Sequence, residues 1–508
     1  MSDFELPSKA ALATRFCRYH WKGVLTICIP LAFSPLIFCF PGRAEFRCMY
    51  LILICCFYWI TECIPLYVTS LMPIFALPAM QILSSERTCQ NYFKDTLAMF
   101  LGSLIVASAI EYCNLHKRLA LKTILLVGCS PRRLHIGLIC VTSFISMWIS
   151  NSATTAMMCP IVKAVLQELE TNHVLEIWMP EDEEPASEGK RHSSRVALAF
   201  YFGIAYASTI GGCGTLIGTG TNLTFKGLFE GRFPEATDKI DFPRFMGWSM
   251  PMVIGDTVLL FLSLQISHMG LGRRSSQVAK ELSSGAQAAD TVSSIKTSAA
   301  VMLTVLALFL FPMTCYYCHH LRSKGPHPSQ RERSLLTWDF VHNHVPWGLV
   351  FLLGGGFALA DASQESGMAK LLGETMSALQ SWPDFAIQFS AISAGIFLTN
   401  FSANVPICNI LIPILQELAV AIKMNPIMLV FPAGIATSMA FHLPVGTPPN
   451  AIVAGYAGIK SKYMVEAGIL PTIFTLLMLL VNVQIMHYLI YPSREFPIWA
   501  QTPRNNEF

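Results

Sequence analysis

Trp148-Ile149-Ser150-Asn151-Ser152-Ala153-Thr154-Thr155-Ala156-Met157-Met158 is the stretch that decides how this chain is read. It places hydroxyls and a carboxamide, with no formal charge, inside an otherwise apolar region. In hydrocarbon an unpaired polar group is costly, so such a cluster is tolerable only where it lines a cavity or packs against protein. A related cluster, Leu398-Thr399-Asn400-Phe401-Ser402-Ala403-Asn404-Val405-Pro406, lies half a chain later. Asn151 and Asn404 are 253 residues apart, as are Pro160 and Pro413. Upstream, Gly102 and Glu111 pair with Gly356 and Glu365 at an offset of 254. Downstream, Gly203-Ile204-Ala205 and Gly218-Thr219-Gly220-Thr221-Asn222 are echoed by Gly434-Ile435-Ala436 and Gly446-Thr447-Pro448-Pro449-Asn450. A lone Ser or Thr in a membrane helix usually bonds its own backbone or a neighbour. The recurrence of whole clusters in one order points instead to an internal repeat, and paired Gly/Pro-interrupted apolar segments mark the midplane site of a secondary transporter.

Composition agrees. Of 508 residues 53% are hydrophobic and 13% charged, with mean hydropathy +0.49; a soluble chain carries about 25% charged residues. The chain is therefore expected to be an all-α polytopic membrane protein. A net charge of +3 is too weak to imply nucleic acid. Sixteen Cys follow no regular spacing and read as small buried hydrophobes. Cys315-Tyr316-Tyr317-Cys318-His319-His320 resembles a haem or zinc motif but lacks a second ligand pair. No nucleophile and base pair or metal-ligand cluster stands at catalytic spacing, so no enzyme is expected.

In chain order, residues 1–22 form a basic arm, and apolar runs suited to spans fall at 23–41, 47–63, 66–82 and 95–112. Lys117, Arg118, Lys122, Arg132 and Arg133 follow, which with the basic arm puts the N-terminus in the cytoplasm. A re-entrant hairpin is expected over 134–167, an acidic surface loop over 168–195, a broken span from 196–212 resuming after Gly218-Thr219, and a span over 247–267. Residues 268–295 are polar and cannot span; 297–316 and 346–364 can. A second re-entrant hairpin at 385–421, a broken span at 427–457, a span at 464–491 and a tail at 492–508 complete the chain. The first span and repeat one thus occupy 23–267 and repeat two 296–491.

These motifs resemble the divalent anion/sodium symporter family of dicarboxylate, citrate and sulfate carriers, most of all its animal di- and tricarboxylate branch. The resemblance rests on Trp59-Ile60-Thr61-Glu62-Cys63-Ile64-Pro65-Leu66, Asn114-Leu115-His116-Lys117-Arg118, Ser150-Asn151-Ser152, Val345-Pro346-Trp347-Gly348, Gly354-Gly355-Gly356-Phe357-Ala358-Leu359-Ala360 and Thr447-Pro448-Pro449-Asn450-Ala451-Ile452. It implies an inverted-repeat transporter fold of about ten to eleven spans with two re-entrant hairpins, a homodimer, a plasma-membrane location and elevator-type alternating access. It implies a first cation site of Ser146, Ser150, Asn151 and Gly218 and a second of Thr399, Ser402, Asn404 and Gly446. Substrate carboxylates would meet Ser150, Asn151, Ser152, Thr219, Asn404 and Thr447. The coupling ion would be Na⁺, with no other cofactor.

Three departures qualify the resemblance, the first being Ser152 where the family has Thr, which keeps a hydroxyl and loses a methyl. The second tip reads Ala403-Asn404-Val405 where the family has Ser-Asn-Thr, so two hydroxyls are lost and Na⁺ coupling through that site is weakened. Between the hairpins four crossings are counted, whereas inverted hairpins need an odd number; one family span is expected to be missing at 268–295. The expected function is carriage of citrate or succinate across the plasma membrane, with sodium-independent exchange, sulfate carriage or a non-transporting membrane protein as rivals. For Glu62, Glu111, Asp256, Asp361 and Glu365, structural pairing is the first reading and proton coupling the second.

Overall fold

The computed structural model describes residues 9–112, 130–171, 194–269, 297–310, 334–345, 347–491 and 495–500, and is all-helical with no β-strand among them. The first part carries α1 (Lys9–Phe33), α2 (Pro35–Cys39), α3 (Ala44–Thr61), α4 (Leu66–Thr69), α5 (Met72–Ala79), α6 (Ser85–Gln90) and α7 (Asp95–Tyr112). A hairpin of α8 (Pro131–Ser146) and α9 (Asn151–Thr171) follows, then α10 (Arg195–Gly212), α11 (Gly220–Arg232) and α12 (Phe242–Leu264), which continues as a π turn over Gln265–Met269. Next come α13 (Thr297–Leu310), α14 (Trp338–His344), α15 (Gly348–Glu365) and α16 (Met368–Met376). A second hairpin, α17 (Asp384–Thr399) with α18 (Asn404–Ala421), leads to α19 (Pro426–Ala436), α20 (Pro448–Ala457) and α21 (Ser461–Ile490).

Helix pairs cover both stretches read as hairpins, 131–171 where 134–167 was expected and 384–421 where 385–421 was expected. Helix α1 starts at Lys9 and bends at His20, so much of the basic arm is helical. The expected span at 66–82 is divided into α4 and α5. Pro65, Pro73 and Pro78 remove backbone donors there, which shortens what a continuous apolar run would build. The polar stretch 268–295 beyond residue 269, the acidic loop and the Cys315–His320 motif lie outside the described residues.

Among the described residues five helices are long and apolar enough to cross a membrane, or six if α14 and α15, bent by 57°, count as one. Other apolar elements are short because the chain breaks them: α19 has 11 residues, about 17 Å at 1.5 Å per residue, against a hydrocarbon core of about 30 Å. Such half-length helices need a partner segment to complete a crossing.

Two helices carry the exposed apolar surface that a membrane protein turns to lipid. On α12, Ile254, Val258, Leu262 and Ile266 are exposed, and on α21, Ile469, Ile473, Leu477, Val481 and Ile485 are exposed. Spacing of four residues puts each set on one helix face, and a soluble protein would not leave two such apolar stripes in water. Their inner faces pack together, with Asn482 Nδ2 donating to the Trp248 carbonyl at 2.8 Å. Phe431 of α19 sits among Trp248, Phe225 and Phe245, with ring centroids 4.4, 5.2 and 5.3 Å away.

Two of the acids read as structural pairs, Asp361 and Glu365, are paired, whereas Asp256 is not. Arg87 of α6 grips Asp361 through two bonds of 3.0 Å and Glu365 at 2.8 Å, and Asn91 donates to Asp361 at 3.2 Å. The bidentate geometry ties the loop before α7 to α15.

Helices α8 and α10 approach closely because Gly211 has no side chain: a Cβ there would overlap the Ser143 carbonyl group. Gly211→Ala is expected to destabilise the folded protein by about 1–3 kcal/mol, seen as a lower melting temperature in detergent, whereas Gly23→Ala, with open space around it, should leave it unchanged.

Candidate functional site

Each hairpin turns on a short polar tip and restarts as a helix at an asparagine. Helix α9 begins at Asn151 and α18 at Asn404. In the first tip the Ser146 hydroxyl lies 2.9 Å from Asn151 Oδ1 and 2.7 Å from the Ser208 carbonyl of α10. In the second the Thr399 hydroxyl lies 2.8 Å from Asn404 Oδ1 and 2.6 Å from the Thr437 carbonyl. Each cluster therefore gathers three oxygens around a single hydroxyl proton, which can satisfy only one of its two acceptors. A focus of hard oxygen atoms short of protons is what a small cation favours.

The unwound loops repeat each other bond for bond. Asn222 Nδ2 donates to the carbonyls of Gly212 and Thr215 at 3.1 and 2.8 Å. Asn450 Nδ2 donates to those of Ala440 and Leu443 at 3.1 and 3.2 Å. In both cases the acceptors lie ten and seven residues back. These carbonyls belong to the stretches where the helix stops, and the carboxamide replaces amide partners that no longer follow. Thr219 (φ −142°, ψ 147°) and Thr447 (φ −152°, ψ 143°) then hold the same extended conformation as caps of α11 and α20.

Glycines make the loops fit. A Cβ on Gly212 would overlap the Asn151 carboxamide, and one on Gly218 would overlap the Gly212 carbonyl oxygen. A Cβ on Gly446 would stand 2.9 Å from the Thr399 carbonyl. The two halves also touch each other: the Cβ position of Gly220 is 3.6 Å from Val405 Cγ2, and Cys408 Sγ is 3.8 Å from the Thr221 carbonyl. The start of α11 thus lies against the start of α18, bringing two helix N-termini, with their partial positive ends, to one place.

Of the expected residues, Ser146 with Asn151 and Thr399 with Asn404 are brought together, and Gly218 and Gly446 lie in the loops against them. Ser150 Oγ accepts from the Ala153 amide at 3.4 Å and remains half-buried. The hydroxyls of Ser152, Thr219 and Thr447 have no hydrogen-bond partner among the described residues, which leaves their donors free for a ligand. Ser402 goes elsewhere: its hydroxyl donates to the Trp59 carbonyl of α3 at 3.3 Å, tying the tip to the preceding bundle rather than to Thr399 and Asn404. A separate cavity of about 450 Å³ lies beside the second tip, lined by Phe397, Phe401, Asn400, His442, Leu443 and Val465 among others, and none of the expected ligands lines it.

The carbonyls of Ser208 and Thr437 are the contributors that side-chain motifs did not single out. Asn400 is another: its Oδ1 receives the backbone amides of Phe441 and His442 at 3.1 and 3.0 Å, pinning the second loop to the second hairpin. Asn222 and Asn400 head glycosylation-type triplets, and their burial leaves no room for a glycan.

The descriptive family model for citrate transporters matches residues 56–434. The chain belongs to that citrate transporter family. It is 45% identical to "Protein I'm not dead yet" of Drosophila melanogaster, over 98% of this chain and 94% of the relative. It is 30% identical to the Na(+)/citrate cotransporter of Mus musculus (94% and 96% covered) and 31% identical to the Na(+)/dicarboxylate cotransporter 3 of Homo sapiens (93% and 92%). Membership makes the chain a multi-pass membrane carrier and not an enzyme.

As a member of the citrate transporter family, the chain depends on loops that hold their shape. Asn222→Ala or Asn450→Ala strands two buried carbonyls, at about 1–3 kcal/mol for each. Both variants are expected to lose most transport and to melt earlier, by uptake assay and thermal denaturation, while Asn343→Ala on exposed α14 should do neither.

Proposed function

We propose that this protein carries di- and tricarboxylates such as citrate and succinate across the plasma membrane, with Na⁺ as coupling ion at the Ser146–Asn151 cluster. The observation that carries the reading is the pair of matching oxygen clusters, each beside a helix break and joined where Gly220 meets Val405. A multiply charged anion must be held without being trapped. An arginine clamp would bind it strongly; hydroxyls, a carboxamide and helix N-termini bind more weakly and release more readily. Ser150, Asn151, Ser152, Thr219, Asn404 and Thr447 are the proposed contacts. Na⁺ would be held by Ser146, Asn151 and the Ser208 carbonyl, with Ser150 and Gly218 completing the shell, and would offset part of the substrate charge.

The repeats are read as inverted, the movement as elevator-type, the assembly as a homodimer and the N-terminus as cytoplasmic. The match to the fly relative runs over 555 aligned positions, more than the 508 residues of this chain. That relative therefore has residues without a counterpart here.

A second reading, exchange without Na⁺, is favoured by one observation. At the second cluster Val405 turns methyl groups toward Gly220 where a hydroxyl would donate, so Thr399, Asn404 and Gly446 hold a cation with fewer oxygens.

Uptake of labelled citrate and succinate into proteoliposomes, with and without a Na⁺ gradient, tests the function. Uptake in at least one condition is expected; none in either, from protein shown to be folded, overturns it. Val405→Thr adds one donor for a carboxylate, a gain of about 1.5 kcal/mol or more, so roughly tenfold tighter citrate competition is expected.

A further inference from the structure

Of the acids singled out in the sequence whose side chains are described, Asp361 and Glu365 are neutralised by Arg87, and Glu62 is exposed. Asp256 differs from all of them. It is 2% exposed, and neither carboxylate oxygen has a hydrogen-bond partner. It stands on the buried face of α12 with Val253 and Leu260, opposite the lipid-facing stripe. An ionised carboxylate with no partner in such a place is strongly disfavoured, so this packing requires the group to be neutral.

Its helix passes beside the first hairpin. The next residue, Thr257, has its hydroxyl 3.3 Å from Ser143 Oγ on α8, three residues before Ser146. Cys213, in the helix break beside Gly212, lies within electrostatic reach of Asp256.

The charged and titratable groups on the elements packed around α12 are few at this level. Helix α21 meets it with Met478, against Gly255, and bears its own titratable groups toward its ends, at Lys462, Tyr463 and Glu466 and at His487 and Tyr488. Helix α10 carries Arg195, Tyr201 and Tyr206 before Cys213. On α8, His135 faces Phe261, further along α12, and Arg132, Arg133 and Cys140 complete its set. The π turn adds His268, while α19, whose Phe431 packs on Trp248, bears no charged or titratable residue.

Building on the carrier reading, we propose that Asp256 is a proton-binding site that couples proton movement to anion movement. An alkali ion needs a shell of several oxygens. Here neither carboxylate oxygen has a hydrogen-bonding neighbour to share an ion with, and Cys213 offers sulfur. A proton needs only the acid. Asp256 ionises when the break at Gly211–Gly214 admits water and takes up a proton before the α8–α10–α12 contact closes over it, so the closed, loaded carrier moves one positive charge with the anion. This gives the protein a coupling charge that the weakened second cluster no longer secures.

The test compares wild type with Asp256→Asn in proteoliposomes, measuring citrate accumulation driven by an inward proton gradient beside exchange of labelled for internal citrate. Protonation of citrate itself is common to both proteins, so the difference isolates Asp256. Asp256→Asn is expected to keep exchange and lose the several-fold accumulation driven by the gradient, with Asp256→Glu restoring part of it. Gradient-driven accumulation by Asp256→Asn equal to wild type overturns the proposal. If Asp256→Asn does not fold, an internal pH dye in wild-type vesicles decides: acidification accompanying succinate entry is expected, and succinate entry without it overturns the proposal. Absence of citrate exchange by wild type would instead count against the carrier reading.

Discussion

A helix that stops inside hydrocarbon leaves its last carbonyls without donors, and the rest of this structure depends on how that debt of hydrogen bonds is met. Asn222 and Asn450 meet it, each spanning two carbonyls of its own loop. With the break stabilised, the chain can turn in mid-core and point polar atoms at a ligand. Gly212, Gly218 and Gly446 then let the hairpin tips approach to contact. Without the asparagines the loops would have to rewind into ordinary helix or draw in water, and either outcome removes the site.

The second consequence concerns charge. Neither oxygen cluster contains an ionised side chain, so on the proposed reading a cation there would be held by dipoles that the two hairpins fix in place. Ser146 and Thr399 each stand between a carboxamide and a backbone carbonyl with one proton to share. On that reading cation and anion would support one another, each lowering the cost of bringing the other out of water. Weak, mutually dependent contacts suit a carrier, which must release what it binds.

Much of this was legible in the residues. The 253-residue offset between Asn151 and Asn404 and the echo of Gly-Thr-x-x-Asn located both hairpins and both loops, because these positions depend on side chains that the sequence displays. The carbonyls of Ser208 and Thr437 were not legible, since any residue supplies a carbonyl and only the fold selects which one is aimed. Nor was the Arg87–Asp361 pair, whose members lie 274 residues apart. Nor was the bond from Ser402 to the Trp59 carbonyl, since the motif does not show that α3 passes close enough to accept it. Span lengths were overestimated at 66–82, where hydropathy counts apolar residues and the prolines among them end helices.

The account stands on the two clusters acting as one site, and a double-mutant cycle on citrate affinity addresses that most directly. Asn151→Ala and Asn404→Ala, alone and together, would be measured by binding to the purified protein. If the clusters share the anion, each single change removes most of the affinity and the double variant is little worse than the poorer single one. Losses that simply add, or citrate binding untouched by either change, would contradict it.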